Sequence, residues 1–94
     1  MLIASVKHKG LKRFLEDNDE RGLRPDLIRK IRNVLTALIA APSIESVRGP
    51  PGWRIHQLTA DRAGTWSIAV SGNWRITFVL ENDEILQLDL EDYH

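Results

Sequence analysis

The chain has 94 residues, no cysteine, and 13 basic side chains balanced by 13 acidic ones. One hydrophobic core is what that length supports, so a single domain over residues 1–94 is expected, with disulfides, thiolate zinc sites and a cysteine nucleophile excluded. No apolar run reaches the roughly 20 residues of a membrane helix, and Met1–Val6 is too short for a signal-peptide core. The expectation is a cytoplasmic protein without membrane contact.

In chain order, Ile3–Val6 reads as a first strand. From Lys9 to Glu20 the apolar positions Leu11, Phe14 and Leu15 fall at helical spacing, with Gly22 as the expected stop. Pro25 suits a first helical position, and Asp26 suits the positive end of the helix dipole. Leu27, Ile28, Ile31, Val34, Leu35, Leu38 and Ile39 then form one apolar stripe, which Pro42 ends. Leu2, Leu11 and this stripe read as core. Ser43–Gly52 is a connection closed by Gly49-Pro50-Pro51-Gly52, a rigid turn lacking the context of a phosphate loop.

From Trp53 onward the period changes to two. Trp66, Ile68 and Val70 alternate with Thr65, Ser67 and Ala69. After a turn at Ser71-Gly72-Asn73, Trp74, Ile76, Phe78 and Leu80 alternate with Arg75, Thr77 and Val79. Glu81–Glu84 turns the chain again, and Leu86, Leu88 and Leu90 alternate with Ile85, Gln87 and Asp89. The pattern predicts an α+β domain in which a strand and two helices precede an antiparallel meander, the helices covering one sheet face.

Alternation then sorts the polar residues. If Trp74, Ile76 and Phe78 face the helices, Arg75 faces away from them. Burying Ile55 sends Arg54 and His56 to that same side, and the last strand adds Gln87, Asp89 and, if its pleat continues, Tyr93. Histidine, arginine and a phenol on one face could cleave RNA without a metal. A base takes the 2′-hydroxyl proton, the oxygen attacks the adjacent phosphorus, an acid protonates the departing 5′-oxygen, and a guanidinium stabilises the growing charge. An aromatic ring could also stack a splayed base. The same residues have ordinary structural uses: a strand histidine in packing, an Arg75–Asp89 cross-strand ion pair, a terminal tyrosine on the surface. His94 with Asp89, Glu91 and Asp92 has no recognised metal-ligand spacing, so no metal is expected.

The zero net charge hides an asymmetry. Residues 1–52 carry ten basic and six acidic side chains, residues 53–94 three and seven. Lys7, Lys9 and Lys12 precede any acid and, with Arg54 and Arg62, are the candidate contacts to a nucleic-acid backbone. A solvated helix face accounts for the lysines equally well.

Four segments carry a family resemblance: Lys7-His8-Lys9-Gly10-Leu11-Lys12 before a helix, Asp61-Arg62-Ala63-Gly64-Thr65-Trp66-Ser67-Ile68, Asn73-Trp74-Arg75-Ile76-Thr77-Phe78, and the closing Glu91-Asp92-Tyr93-His94. In this order and spacing the chain resembles the HigB toxins of bacterial toxin–antitoxin modules, within the RelE/ParE-like superfamily. The resemblance implies a RelE-like fold and a ribosome-dependent mRNA endonuclease that needs no cofactor. It also implies a HigA-type helix-turn-helix antitoxin as partner, and operator DNA reached only through that antitoxin. His56, Arg75 and Tyr93 match the family's catalytic positions. Thr59 departs from the pattern, because it stands where members often carry a lysine. Compensation by Arg54 or Arg62, a slower or differently selective enzyme, and an inactive one all stay open. So do two non-catalytic readings on this scaffold, a ParE-like interaction toxin and a corepressor that only binds antitoxin.

Overall fold

In the computed structural model, residues 1–92 are described. Helix α1 spans Lys9–Asp17 and starts where the His8 ring nitrogen Nδ1 accepts the Leu11 backbone N–H at 3.2 Å. That bond satisfies one of the donors a helix N-terminus leaves open. The helix stops at Asn18, which takes the left-handed conformation (φ 53°) and donates to the Phe14 carbonyl at 3.0 Å. Asparagine tolerates that conformation, so the expected stop at Gly22 is not where α1 ends. Gly22 instead packs against Gly10, and a Cβ built on it would sit 2.7 Å from the Gly10 Cα. Both positions therefore need glycine for the backbones to touch.

Pro25 opens a 3-10 turn, Pro25–Leu27, that runs directly into helix α2, Ile28–Ala40. Ile31, Val34, Leu35 and Leu38 form its buried stripe. At the far end, the Met1 amino group donates to the carbonyls of Leu38 at 2.9 Å and Ile39 at 3.0 Å, and also to that of Ala41. A cation thus sits on carbonyls that would otherwise lack partners, at the negative end of the helix dipole.

Five strands follow the order β1-β5-β4-β3-β2: β1 Leu2–Ile3, β2 His56–Gln57, β3 Thr65–Ala69, β4 Trp74–Glu81 and β5 Glu84–Asp92. β1 runs parallel to β5, and the other pairs are antiparallel. The β4–β5 hairpin turns on Asn82 and Asp83, both at positive φ (52° and 60°), as a two-residue turn of matching twist requires. The helices and one sheet face share a single core that includes Leu11, Phe14, Ile31, Leu38, Ile68, Ile76, Phe78 and Leu88. This is the α+β architecture the alternation predicted. Among the described residues no helix is long and apolar enough to cross a membrane.

Strand β5 departs from simple alternation. Thr77 pairs with Asp89 but Val79 pairs with Leu86, so Phe78 is opposed by two residues, Gln87 and Leu88. Gln87 adopts φ 54°, the mark of a β-bulge. One extra residue reverses the parity on its N-terminal side. Ile85, expected to face away from the helices, is fully buried in the core, whereas Leu86 is half-buried on the opposite face. The N-terminal segment follows this irregularity: Leu2 and Ile3 pair with Glu84 and Ile85, and Val6 makes a separate bridge to Leu88. The expected strand Ile3–Val6 is therefore reduced to Leu2–Ile3 and that bridge. Leu2, expected in the core, is 64% exposed, because Ile3 takes the inward position opposite Ile85. Ile39, counted in the α2 stripe, is 52% exposed at the last turn of its helix.

Candidate active site

The face of the sheet away from the helices is polar, and register shows how its residues line up. His56, Ser67, Thr77 and Asp89 form one row across β2, β3, β4 and β5, and Ala69, Arg75 and Glu91 form the next. Both rows lie C-terminal to the bulge on β5, so the alternation that places Arg75 outside also holds for Asp89 and Glu91. Ser67 and Thr77 are buried although no helix covers them. The longer polar side chains of this face form a layer of their own.

A hollow of about 150 Å³ opens in that layer, lined by Arg54, His56, Ser67, Ala69 and Arg75. It is smaller than the roughly 300 Å³ at which ordinary small-molecule pockets begin. A phosphodiester linkage suits it better than a whole nucleotide. Ala69 stands directly across from Arg75 in the β3–β4 ladder, and its methyl group leaves the long arginine room.

Arg54 reaches this hollow by a route that strand parity does not describe. The chain from Pro51 to Trp53 is a 3-10 turn, and Arg54 ends it in the left-handed conformation, φ 49° and ψ 52°. A non-glycine residue there costs on the order of 1 kcal/mol. The turn also brings the Arg54 carbonyl 2.5 Å from His56 Nδ1. A carbonyl can only accept, so Nδ1 carries the proton in this bond and Nε2 of a neutral ring holds the lone pair. Arg54 thereby contributes twice, as part of the wall of the hollow and through the backbone carbonyl that fixes the imidazole.

The remaining candidates separate. Arg62 pairs with Glu91 through two hydrogen bonds of 2.7 Å each. Lys7 and Arg62 border a second, smaller hollow of about 40 Å³ with Gln87, Asp89 and Glu91. Lys9 is exposed at the start of α1. Lys12 borders a different cavity, of about 620 Å³, formed by residues 1–6, Leu15, Glu16 and Ile39. The structure therefore brings Arg54, His56 and Arg75 together, sets Lys7 and Arg62 farther along, and puts Lys12 beside another cavity. Tyr93 lies outside the described residues.

Glu91, which the sequence suggested only as a metal-ligand candidate beside His94, shares the parity of Asp89. Asp89 was the candidate ion-pair partner of Arg75, but it is Glu91 whose Oε1 lies 3.6 Å from the Arg75 guanidinium. Asp89 pairs across from Thr77, and its carboxylate accepts the Leu90 backbone N–H. The bonds from Arg62 hold the Glu91 carboxyl down at about 2, against its ordinary 4.5; partial burial opposes this, while the Thr77 hydroxyl and the charges of Arg62 and Arg75 reinforce it. The same hydrogen bonds raise the Arg62 guanidinium further.

Solved structures share this architecture. A mutant of YafQ from E. coli superposes with a TM-score of 0.62 at 15% identity, covering 96% of this chain and 90% of that one. The YoeB–YefM complex from Staphylococcus aureus gives 0.56 at 14% identity, covering 100% and 99%. The chain thus shares the fold of these proteins. Sequence narrows the class: the family model described as RelE-like toxin of type II toxin-antitoxin system HigB matches residues 4–94. The chain belongs to that HigB-like toxin family. It is 39% identical over 93 residues to the endoribonuclease HigB of Proteus vulgaris, covering 99% of this chain and 100% of that protein.

Proposed function

We propose that the chain works as one toxin domain in the cytoplasm, an endoribonuclease that cuts mRNA on the ribosome by attack of a 2′-hydroxyl, without a metal. The observation that carries this reading is the hollow where His56, Arg54 and Arg75 meet on the sheet face that no helix covers. The likeness to a relative named as an endoribonuclease supports it.

Nε2 of His56, with its lone pair set by the bond from Nδ1, takes the 2′-hydroxyl proton. Arg75 grips the phosphate and stabilises the charge that builds on it, as a guanidinium fork does. Arg54 supplies the second cation. It lines the hollow, whereas Arg62 is committed to Glu91, so of the two arginines near Thr59 it is Arg54 that stands in for the family lysine. Tyr93 is the proposed proton donor to the 5′-oxygen. Lys7 and Lys9, with Lys12 farther off, add attraction to the RNA backbone. A structural relative solved as the DinJ–YafQ toxin–antitoxin complex supports an antitoxin partner; the partner in this reading is a HigA-type helix-turn-helix protein, with operator DNA contacted through it.

The test is to map mRNA 5′ ends after induction without antitoxin. New ends inside coding sequence in the wild type, falling about 10²-fold or more in His56→Ala and Arg75→Ala with unchanged circular dichroism, are the expected result. Arrested replication with intact mRNA would select a ParE-like interaction toxin instead. Unimpeded growth with antitoxin still bound would select a corepressor, the reading that Thr59 in place of the family lysine keeps open.

A further inference from the structure

Glu91 stands directly opposite Arg75 in the β4–β5 ladder, on the same sheet face. Its two carboxylate oxygens receive both terminal nitrogens of Arg62, and Oε2 also accepts from the Thr77 hydroxyl. Thr77 is 2% exposed, so no water competes for its hydroxyl. A guanidinium fork from one side and a buried hydroxyl from the neighbouring strand fix both the position and the rotation of the carboxylate. Arg62 lies in the 3-10 turn Ala60–Arg62, so the fork also ties that turn to the last strand.

This arrangement leaves Oε1 as a stationary negative charge beside Arg75. At 3.6 Å the contact is longer than a hydrogen bond, so it is a coulombic attraction toward the guanidinium. The side chains are 17% and 22% exposed, and solvent screens the attraction much less than on an open surface. Held well below its ordinary value by these partners, the Glu91 carboxyl keeps its charge throughout the physiological range.

We propose that Glu91, clamped by Arg62 and Thr77, is the positioning residue for Arg75 and sets the direction from which that arginine meets the scissile phosphodiester. This deepens the nuclease reading and rests on it for the role of Arg75. It also gives Arg62 an office other than binding RNA, that of anchoring the carboxylate.

The experiment combines Glu91→Gln, Arg75→Ala and the double variant in the full chain, with two readouts. One is the cleavage rate on ribosome-bound mRNA, and the other is the NMR signal of the Arg75 Nε–H in the free protein. Glu91→Gln is expected to slow cleavage about 10- to 100-fold, because small misplacements of a catalytic group are costly. It should slow it no further in the Arg75→Ala background, and it should broaden or shift the Arg75 signal. Equal losses in both backgrounds, or an Arg75 signal identical to that of the wild type, would overturn the proposal. Should Glu91→Gln fail to fold, Thr77→Val removes one hold on the carboxylate while keeping its charge. A smaller loss, again absent without Arg75, is then expected, and an additive loss would refute the clamp. If the wild type cuts no mRNA, the nuclease reading falls by itself, and the Arg75 signal still decides whether Glu91 orients the arginine.

Discussion

The two faces of the sheet are built on opposite rules. On the helix side, Ile68, Ile76, Phe78, Ile85, Leu88 and Leu90 meet α1 and α2 through many weak contacts, none of them directional. On the other side a few polar groups each have a named partner: Arg62 with Glu91, Thr77 with Glu91, His56 with the Arg54 carbonyl. The first face is tolerant in detail and expensive in bulk. The second is sensitive in detail and cheap in bulk, which is what a reactive surface on a small scaffold requires.

Substitutions can break or sharpen this contrast. Phe78→Ala empties a site that is only 1% exposed and should cost about 3–5 kcal/mol in urea unfolding, the largest effect. Gln87→Val places a β-branched residue at φ 54° and should cost about 1–2 kcal/mol, whereas Gln87→Gly should stay within about 1 kcal/mol of wild type. Equal costs for the two would show that the bulge does not persist in solution. Thr77→Val keeps the shape and removes one hydrogen bond, so about 1 kcal/mol is expected in urea unfolding.

A further effect is one of pH. Glu91 is held at about 2 in the folded chain against its ordinary 4.5, so the stability it contributes is full above pH 4.5 and lost as pH falls through about 2. Urea unfolding of wild type and Glu91→Gln at several pH values should therefore converge in acid. A gap that stays constant down to pH 2 would remove the carboxylate from the stability of the polar face.

Much of this was legible in sequence, and the misses have physical causes. Period-two alternation located β3, β4 and the C-terminal half of β5, and so put Arg75 and His56 on the uncovered face. It failed at Ile85 and Leu86, because hydrophobicity is equal on the two sides of a bulge and carries no sign of it. Leu2 and Ile39 look like core by composition, but burial depends on where the neighbouring element ends, which no local pattern contains. Arg54 was placed correctly for an incomplete reason, since a left-handed turn and not a strand delivers it. Glu91 was weighed only as a metal ligand, because an acidic residue late in a strand otherwise reads as a solvated one. Its importance lies in its fork with Arg62, 29 residues earlier in a 3-10 turn, a pairing that no local pattern contains.

The bulge at Gln87 acts as a phase joint. Strand β5 consists of two half-strands in opposite phase, one facing the turn and the N-terminal segment, the other carrying Asp89 and Glu91. A one-residue gain or loss at the Asn82–Asp83 end can be taken up at the joint, by shifting or erasing it, without inverting the half that serves the hollow. Divergence in the hairpin tip is thereby decoupled from the chemistry, and the reactive end of the strand inherits a fixed orientation while the other end is free to drift.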